Sequence, residues 1–221
     1  MSSKPQQIVR RGDIEEPDEV DLRVAVPRRL RAGDPRLQQL ALHFRGIMQT
    51  LDLDLEDPNL VGTAERVARM YLEIFAGLAE GAEPRIKTFP NTEGYNQMVS
   101  VRDVPFHSMC AHHFLPFFGR AHIAYIPDGQ IVGLSKLARI VEFYARRPQI
   151  QERLTEQVIG FLQQRLQPLG AIVVVEANHL CMEMRGVKKP GATTITSAVR
   201  GAFLDRATRE EFLELLHRPS G

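Results

Sequence analysis

The stretch AIVVVEANHLCMEMR, residues 171–185, has the residue pattern of a β-strand. It contains four consecutive β-branched residues, after which His179, Cys181, Glu183 and Arg185 recur at every second position. Because successive side chains of a strand point to opposite faces, these four are expected to share one face. The stretch therefore predicts a long strand that presents an imidazole, a thiol and a basic group on one surface.

The chain around this stretch alternates between strand-like and helical patterns. β-Branched or alternating residues predict strands in MVSVRDV (98–104), RAHIAYIP (120–127) and TTITSAVRGAF (193–203). Helical periodicity is present in KLARIVEFYARR (136–147) and IQERLTEQVIGFLQQRL (150–166). Ser135 is the predicted cap of the first of these helices, and Thr208 with Glu211 forms a capping box for a C-terminal helix.

The first part of the chain is helical by the same criterion. Residues 35–51 and 63–78 each place apolar residues at three- and four-residue steps, and Thr63 is the predicted cap of the second helix. The predicted apolar faces consist of Leu37, Leu40, Phe44, Ile47, Met48 and Leu51, and of Val67, Met70, Tyr71, Ile74, Phe75 and Leu78. Residues 1–34 are polar and predict a flexible tail. The fold class expected is α+β: a helical segment (35–97), then an antiparallel sheet with two helices on one side and a C-terminal helix (98–221).

Composition excludes several classes of function. The formal net charge is +1, so no overall field would recruit nucleic acid or a membrane surface. The chain has no apolar run long enough to span a bilayer, and its first residues do not resemble a secretory signal. Two cysteines 71 positions apart then favour a reducing cytoplasm over a disulfide. We expect a cytoplasmic protein without nucleic-acid or membrane partners.

Cys110 and His113 form a C-x2-H pair, and Cys181 supplies a second thiol from the predicted strand. Zinc prefers thiolate and imidazole ligands, and three protein ligands leave a fourth position for water, as in catalytic sites. His112 and His179 adjoin the ligands and are available as bases. The alternative is that Cys181 is a buried core thiol and His179 a strand histidine with a structural partner.

A second group of residues is basic. Arg66 and Arg69 are one helical turn apart, and Arg185 lies on the predicted metal-facing side of its strand. Ser135 and Lys136 lie at a predicted helix N-terminus, where free N–H groups favour an anion, and Arg139 follows one turn later. These cations suit a polyphosphate, although each one alone is equally compatible with a solvated surface charge. Glu152 could pair with a cation or accept two hydrogen bonds from a guanine edge.

These features together resemble the GTP cyclohydrolase I family. The similarity covers most of residues 60–203 in the same order. It lies in RVARMY (66–71), SMCAHHFLPFFGRAHIAYIP (108–127, apart from Ala111), IVGLSKLARIVEFYARRPQIQERLT (131–155), HLCMEMRGV (179–187) and TTITSAVRG (193–201).

The resemblance implies a tunnelling fold, in which the sheets of several subunits close into a barrel, and a homodecamer of two pentamers with active sites between subunits. It implies one Zn²⁺ per subunit on Cys110, His113 and Cys181. His112 and His179 match an acid–base pair, and Ser135 joins them in the catalytic set. Ser135 also corresponds to a family residue that contacts the guanine or the ribose, as do Gln151 and Glu152. The family residues that contact the triphosphate correspond in this chain to Arg66, Arg69, Lys136, Arg139 and Arg185.

The activity that the resemblance implies is hydrolysis of GTP at C8 with release of formate and rearrangement to 7,8-dihydroneopterin triphosphate, the first step of folate and tetrahydropterin biosynthesis. The family usually has Glu where this chain has Ala111. Two alternatives follow: a non-catalytic protein of the same fold that binds GTP or a pterin, and a tunnelling-fold reductase of a deazaguanine nitrile. The paired Cys110 and Cys181 speak against the reductase, which needs a single nucleophilic cysteine.

Overall fold

The computed structural model describes residues 34–217, so the predicted tail lies outside the described residues except for Asp34. Helix α1 spans Pro35–Thr50 and helix α2 spans Thr63–Ile74, followed by a 3-10 turn at Ala76–Leu78. Asp34 caps α1, because its carboxylate accepts a hydrogen bond from the Arg36 amide at 2.9 Å.

Small residues form the contact between α1 and α2. Ala41, Ala64 and Ala68 are buried there and allow the two helix backbones to approach closely. The predicted apolar faces are only partly correct: Phe44 of α1 and Tyr71 of α2 are in contact, with ring centroids 5.0 Å apart, but other members of each face are exposed. Four of the predicted residues are substantially exposed: Ile47, Leu51, Met70 and Leu78.

The rest of the described chain forms a five-stranded sheet, a two-stranded sheet and four helices. The large sheet has the order β5-β2-β3-β6-β7 and is antiparallel except for the β2–β5 pair. The strands are β1 Thr88–Pro90, β2 Val99–Cys110, β3 Pro116–Ile126, β4 Gln130–Val132, β5 Pro148–Gln149, β6 Gly170–His179 and β7 Thr193–Gly201. The helices are α3 Leu134–Ala145, α4 Gln151–Leu166, α5 Leu180–Glu183 and α6 Arg206–His217. The predicted α+β class is confirmed.

Alternation along β6 divides the sheet into two packed faces. Val173 and Val175 pack with α3 and α4 in the larger core, which confirms the two helices on one side. Ile172 and Val174 point the other way and pack against Phe212 of α6. Both faces of this strand are therefore apolar, which explains its run of β-branched residues. Among the described helices, none combines the length and apolar character needed to cross a membrane.

Three predicted helix caps are wrong. Gly62 precedes α2 in a left-handed conformation, so Thr63 is the first helical residue. Gly133 precedes α3, which makes Ser135 its second residue. Helix α6 begins at Arg206 and is capped by Asp205. The Asp205 carboxylate accepts hydrogen bonds from the amides of Ala207 at 2.9 Å and Thr208 at 3.2 Å. In each case the hydroxyl lies just inside the helix that it was predicted to cap.

The predicted strand over residues 171–185 is also too long. Strand β6 ends at His179, which pairs with Phe117 at the start of β3. Beyond this point neither neighbouring strand offers further pairing, so the chain leaves the sheet. It closes one helical turn, in which Met184 N donates to Leu180 O at 3.0 Å. Cys181, Glu183 and Arg185 therefore do not share a strand face with His179.

Candidate metal centre and active-site cleft

A cluster of two thiols and one imidazole lies at the edge of the sheet. The ligand atoms of Cys110, His113 and Cys181 all lie within 4.8 Å of one another. Cys110 ends β2, His113 lies in the turn that follows, and Cys181 lies in α5. The predicted donor set is brought together, although a helical turn rather than a strand face delivers Cys181. Neither cysteine forms a disulfide.

The turn that carries His113 is held by the backbone. Phe114 has a positive φ of 53°, and its amide donates to Cys110 O at 2.9 Å. Cys110 N donates to Leu115 O at 2.9 Å, and Ala111 N donates to Gln149 O at 2.8 Å. These bonds fix the Cys110 and His113 side chains on one side of a tight turn.

The chemistry of the cluster fits a soft divalent cation. The pKa of the Cys181 thiol is raised above its ordinary value, mainly by burial and to a smaller extent by the neighbouring Cys110 thiol. Two ionised thiols at this separation repel each other, and a bound dication would remove that penalty. Thiolate and imidazole are also the donors that zinc prefers. The residues present therefore fit a zinc ion.

His179 is fixed beside this cluster by two contacts. Its ring stacks on Phe117, with ring centroids 4.6 Å apart and planes within 2°, and its Nε2 lies 2.8 Å from Gln151 Oε1. Burial lowers the pKa of His179, and the negative charge of Glu152 offsets part of this shift. The imidazole is therefore biased towards its neutral form, which is able to accept a proton.

His112 and Arg185 also lie next to the ligands. His112 is exposed, and its Nδ1 is 3.8 Å from Cys110 Sγ. Arg185 Nη1 lies 3.1 Å from His113 Nε2. The cluster thus has a histidine and a cation at its rim.

One cleft of about 580 Å³ joins these groups. It contains eight of the predicted site residues: Cys110, His112, His113, Gln151, Glu152, His179, Cys181 and Arg185. Its volume falls within the range of small-molecule pockets. The arrangement places a candidate metal site, two histidines and the Arg185 guanidinium around one cleft.

The other predicted residues lie elsewhere in the chain. Lys136 and Arg139 line a separate cavity of about 340 Å³ between α3 and the segment after α2, and the two cavities share no lining residue. Arg66 and Arg69 are exposed on α2, where Arg66 donates to Val61 O at 2.9 Å and to Thr63 Oγ1 at 2.6 Å. Ser135 is exposed on α3. Of the five predicted triphosphate contacts, a single chain therefore brings only Arg185 to the cleft.

Sequence reasoning missed Phe117 and Thr194. Phe117 forms one wall of the His179 site, and Thr194 lines the cleft and accepts a hydrogen bond at its carbonyl oxygen. Phe117 belongs to an aromatic run that directly follows the two histidines, which was a usable signal. Thr194 acts through its backbone, for which the sequence contains no signal.

Comparison with known proteins identifies the class. The family model for GTP cyclohydrolase I matches residues 40–217. The chain is 49% identical over 185 residues to GTP cyclohydrolase 1 of Carboxydothermus hydrogenoformans, which covers 83% of this chain and 96% of that protein. It is 53% identical over 178 residues to GTP cyclohydrolase 1 of Desulforamulus reducens, covering 78% and 94%. The chain therefore belongs to the GTP cyclohydrolase I family, as its sequence motifs predict.

A solved structure described as the archaeosine synthase QueF-Like in the apo form is a more distant likeness. It has a TM-score of 0.40 and 17% sequence identity, and it covers 48% of this chain and 94% of that one. So low a TM-score defines neither fold nor function.

Proposed function

We propose that this protein is a zinc-dependent GTP cyclohydrolase I. It hydrolyses the imidazole ring of GTP at C8, releases formate and yields 7,8-dihydroneopterin triphosphate, at the start of folate or tetrahydropterin synthesis. The observation that carries the proposal is the Cys110, His113 and Cys181 cluster, which shares one cleft with His112 and His179 in a member of this family.

Cys110, His113 and Cys181 would hold one zinc ion per subunit. When bound, zinc would supply Lewis-acid activation of a water molecule. Two thiolates neutralise most of its charge, so a nearby base is needed for the water to react at neutral pH.

His112 and His179 would move the protons of the reaction. One takes a proton from the water that attacks C8, and the other protonates the ring nitrogen as the imidazole ring opens. Glu152 is exposed at the N-terminus of α4 and would accept hydrogen bonds from the guanine edge. Arg185 would bind a phosphate, because its guanidinium carries a permanent charge at the rim of the cleft.

The direct test is an assay of the zinc-loaded protein with GTP. We expect formate and, after oxidation, a fluorescent pterin in equal amounts. GTP binding without formate would contradict the proposal and favour the non-catalytic alternative.

Ala111 motivates that alternative. It is partly buried and is not among the cleft residues, and its amide is bonded to Gln149 O. A carboxylate at this position could hold a histidine or a cation in place, and the loss of such a group typically costs about 10- to 100-fold in rate or metal affinity. Alanine introduces no unpaired buried charge, so folding is unaffected.

We expect the natural protein to be active with a full complement of zinc. Ala111→Glu then raises turnover by about 10- to 100-fold if the missing carboxylate limits the rate. Ala111→Gln is the matched control, because it adds the same bulk without the charge. If neither Ala111→Glu nor the natural protein releases formate from GTP, the cyclohydrolase proposal fails and the non-catalytic alternative takes its place.

We also propose that the protein has the tunnelling fold and forms a homodecamer with active sites between subunits. The separation of Lys136 and Arg139 from the cleft supports this arrangement. These cations would reach the triphosphate only from a neighbouring subunit. An active site built from two chains is a general reason for an enzyme to require its oligomer.

Subunit mixing tests the shared site. His112→Ala and Lys136→Ala chains, each strongly impaired alone, are expected to regain activity when co-assembled. In random mixing, about a quarter of sites combine an intact cleft with an intact neighbouring lysine. The measurement is formate release by the co-expressed variants relative to each variant alone.

The control pair is His112→Ala with Arg185→Ala, which both change the same cleft and should not complement each other. Equal recovery in both pairs would contradict a shared site. A monomer by light scattering that still converts GTP would exclude the interface altogether.

A further inference from the structure

Gln151 is the first residue of α4, and its side chain is buried although it is polar. Only 2% of the residue is accessible to solvent. The short strand β5 lies directly before α4 in the chain and pairs with the end of β2, and the linking residue Ile150 is extended. This pairing anchors the N-terminus of α4 against the sheet. Thr155, one turn later, donates to Gln151 O at 2.9 Å and contacts the Thr196 hydroxyl at 2.6 Å.

The side-chain amide of Gln151 makes three hydrogen bonds within the chain. Its Nε2 donates to Val175 O at 3.0 Å and to Thr194 O at 2.9 Å. Its Oε1 lies 2.8 Å from His179 Nε2. Both amide hydrogens are therefore used by carbonyl groups of β6 and β7.

These bonds fix the direction of the amide. The opposite orientation would set the amide oxygen against two carbonyl oxygens and its nitrogen against His179. Gln151 Oε1 must therefore face His179, and since that oxygen only accepts, His179 Nε2 must carry a hydrogen. In the neutral ring, Nδ1 is then the nitrogen with a free lone pair.

We propose that Gln151 is a positioning residue that holds His179 in one ring orientation and one tautomer, rather than a contact for guanine or ribose. The stacked Phe117 fixes the plane of the ring, and Gln151 fixes its rotation within that plane. A contact in which Gln151 donates a hydrogen bond to the substrate would need amide hydrogens that are already bonded to Val175 O and Thr194 O. Glu152, the next residue, is exposed in the same cleft and remains available to the substrate.

The kinetic consequence rests on the proposed cyclohydrolase activity. Gln151→Met keeps the length of the side chain and removes its hydrogen bonds. We expect kcat to fall about 10- to 100-fold, as for other groups that orient an active-site imidazole, with KM for GTP changed by less than about 3-fold. A rise in KM at least as large as the loss in kcat would overturn the proposal and restore Gln151 as a substrate contact.

A double variant separates the two roles further. If Gln151 acts through His179, the His179→Ala, Gln151→Met protein should be no slower than His179→Ala alone. Multiplying losses would contradict the proposal. Thr155→Val is the matched control for local damage, because Thr155 is buried and bonds only the backbone of Gln151 and the Thr196 hydroxyl. It should keep kcat within about 3-fold of the unmodified protein.

The tautomer can be measured without any assay. ¹⁵N NMR of the zinc-loaded protein with labelled histidine, assigned by comparison with His179→Ala, should show hydrogen on Nε2 and none on Nδ1 of the neutral ring. Hydrogen on Nδ1 would overturn the proposal even if Gln151→Met failed to fold. If the unmodified protein releases no formate yet shows the Nε2 tautomer, the proposed reaction fails and the positioning contact stands.

Discussion

Cys110→Ser and Cys181→Ser are each expected to remove most of the bound zinc and to lower formate release by more than about 100-fold. Loss of a group that only supports a metal ligand costs about 10- to 100-fold, so loss of the ligand itself should cost more. Serine is nearly the same size as cysteine, but its hydroxyl does not ionise near neutral pH and is a poor zinc ligand. Metal content by elemental analysis and formate release give the two readouts.

Folding must be separated from metal binding in this experiment. Cys110 is buried in the core at the end of β2, so its variant could also lose stability. Unmodified protein treated with a chelator is the reference, and each serine variant should have a similar melting temperature to it. Met182→Leu, in the same helical turn as Cys181, is the matched control and should keep its zinc. Full zinc content in both serine variants would show that the ligand set is wrong.

His112→Ala and His179→Ala are expected to lower turnover by about 100-fold or more while zinc content and GTP affinity stay largely unchanged. General acid–base groups typically contribute about 10²- to 10⁴-fold. Neither histidine belongs to the three-donor cluster, so neither is needed to hold the metal. The measurements are kcat, equilibrium binding of GTP and metal content.

The two variants differ in their structural cost. His112 is exposed, so its replacement should leave the melting temperature unchanged. His179→Ala leaves a gap against Phe117 and removes the partner of Gln151 Oε1, which typically costs about 1–3 kcal/mol of stability. His107→Ala is the control, because His107 stacks on Phe118 outside the cleft and should keep full turnover. Loss of zinc from the His179 variant would instead make His179 a metal ligand.

The strands and helices were largely predictable because their periodicities are local. Residues 171–175 alternate between two apolar cores, and the helix over 151–166 buries Leu154, Val158 and Phe161, which recur at helical spacing. The helix caps were not predictable. Gly62, Gly133 and Asp205 precede the helices instead of the nearby hydroxyl residues, because the path of each loop decides where its helix begins. Hydroxyl residues just inside a helix look the same in the sequence as those that cap it.

The sequence by itself determined the family of the protein and pointed to Cys110 and His113 as candidate metal ligands. Cys110 and His113 are three positions apart, so one tight turn is enough to bring them together. Only the tertiary structure decided how Cys181 joins them, because the end of β6 depends on where its neighbouring strands stop pairing. The same is true of Gln151: its amide is bonded to carbonyl groups of two strands that follow it in the chain, and no local pattern records that contact. Side-chain chemistry can be read from the sequence, but which atoms remain free for a substrate depends on long-range packing.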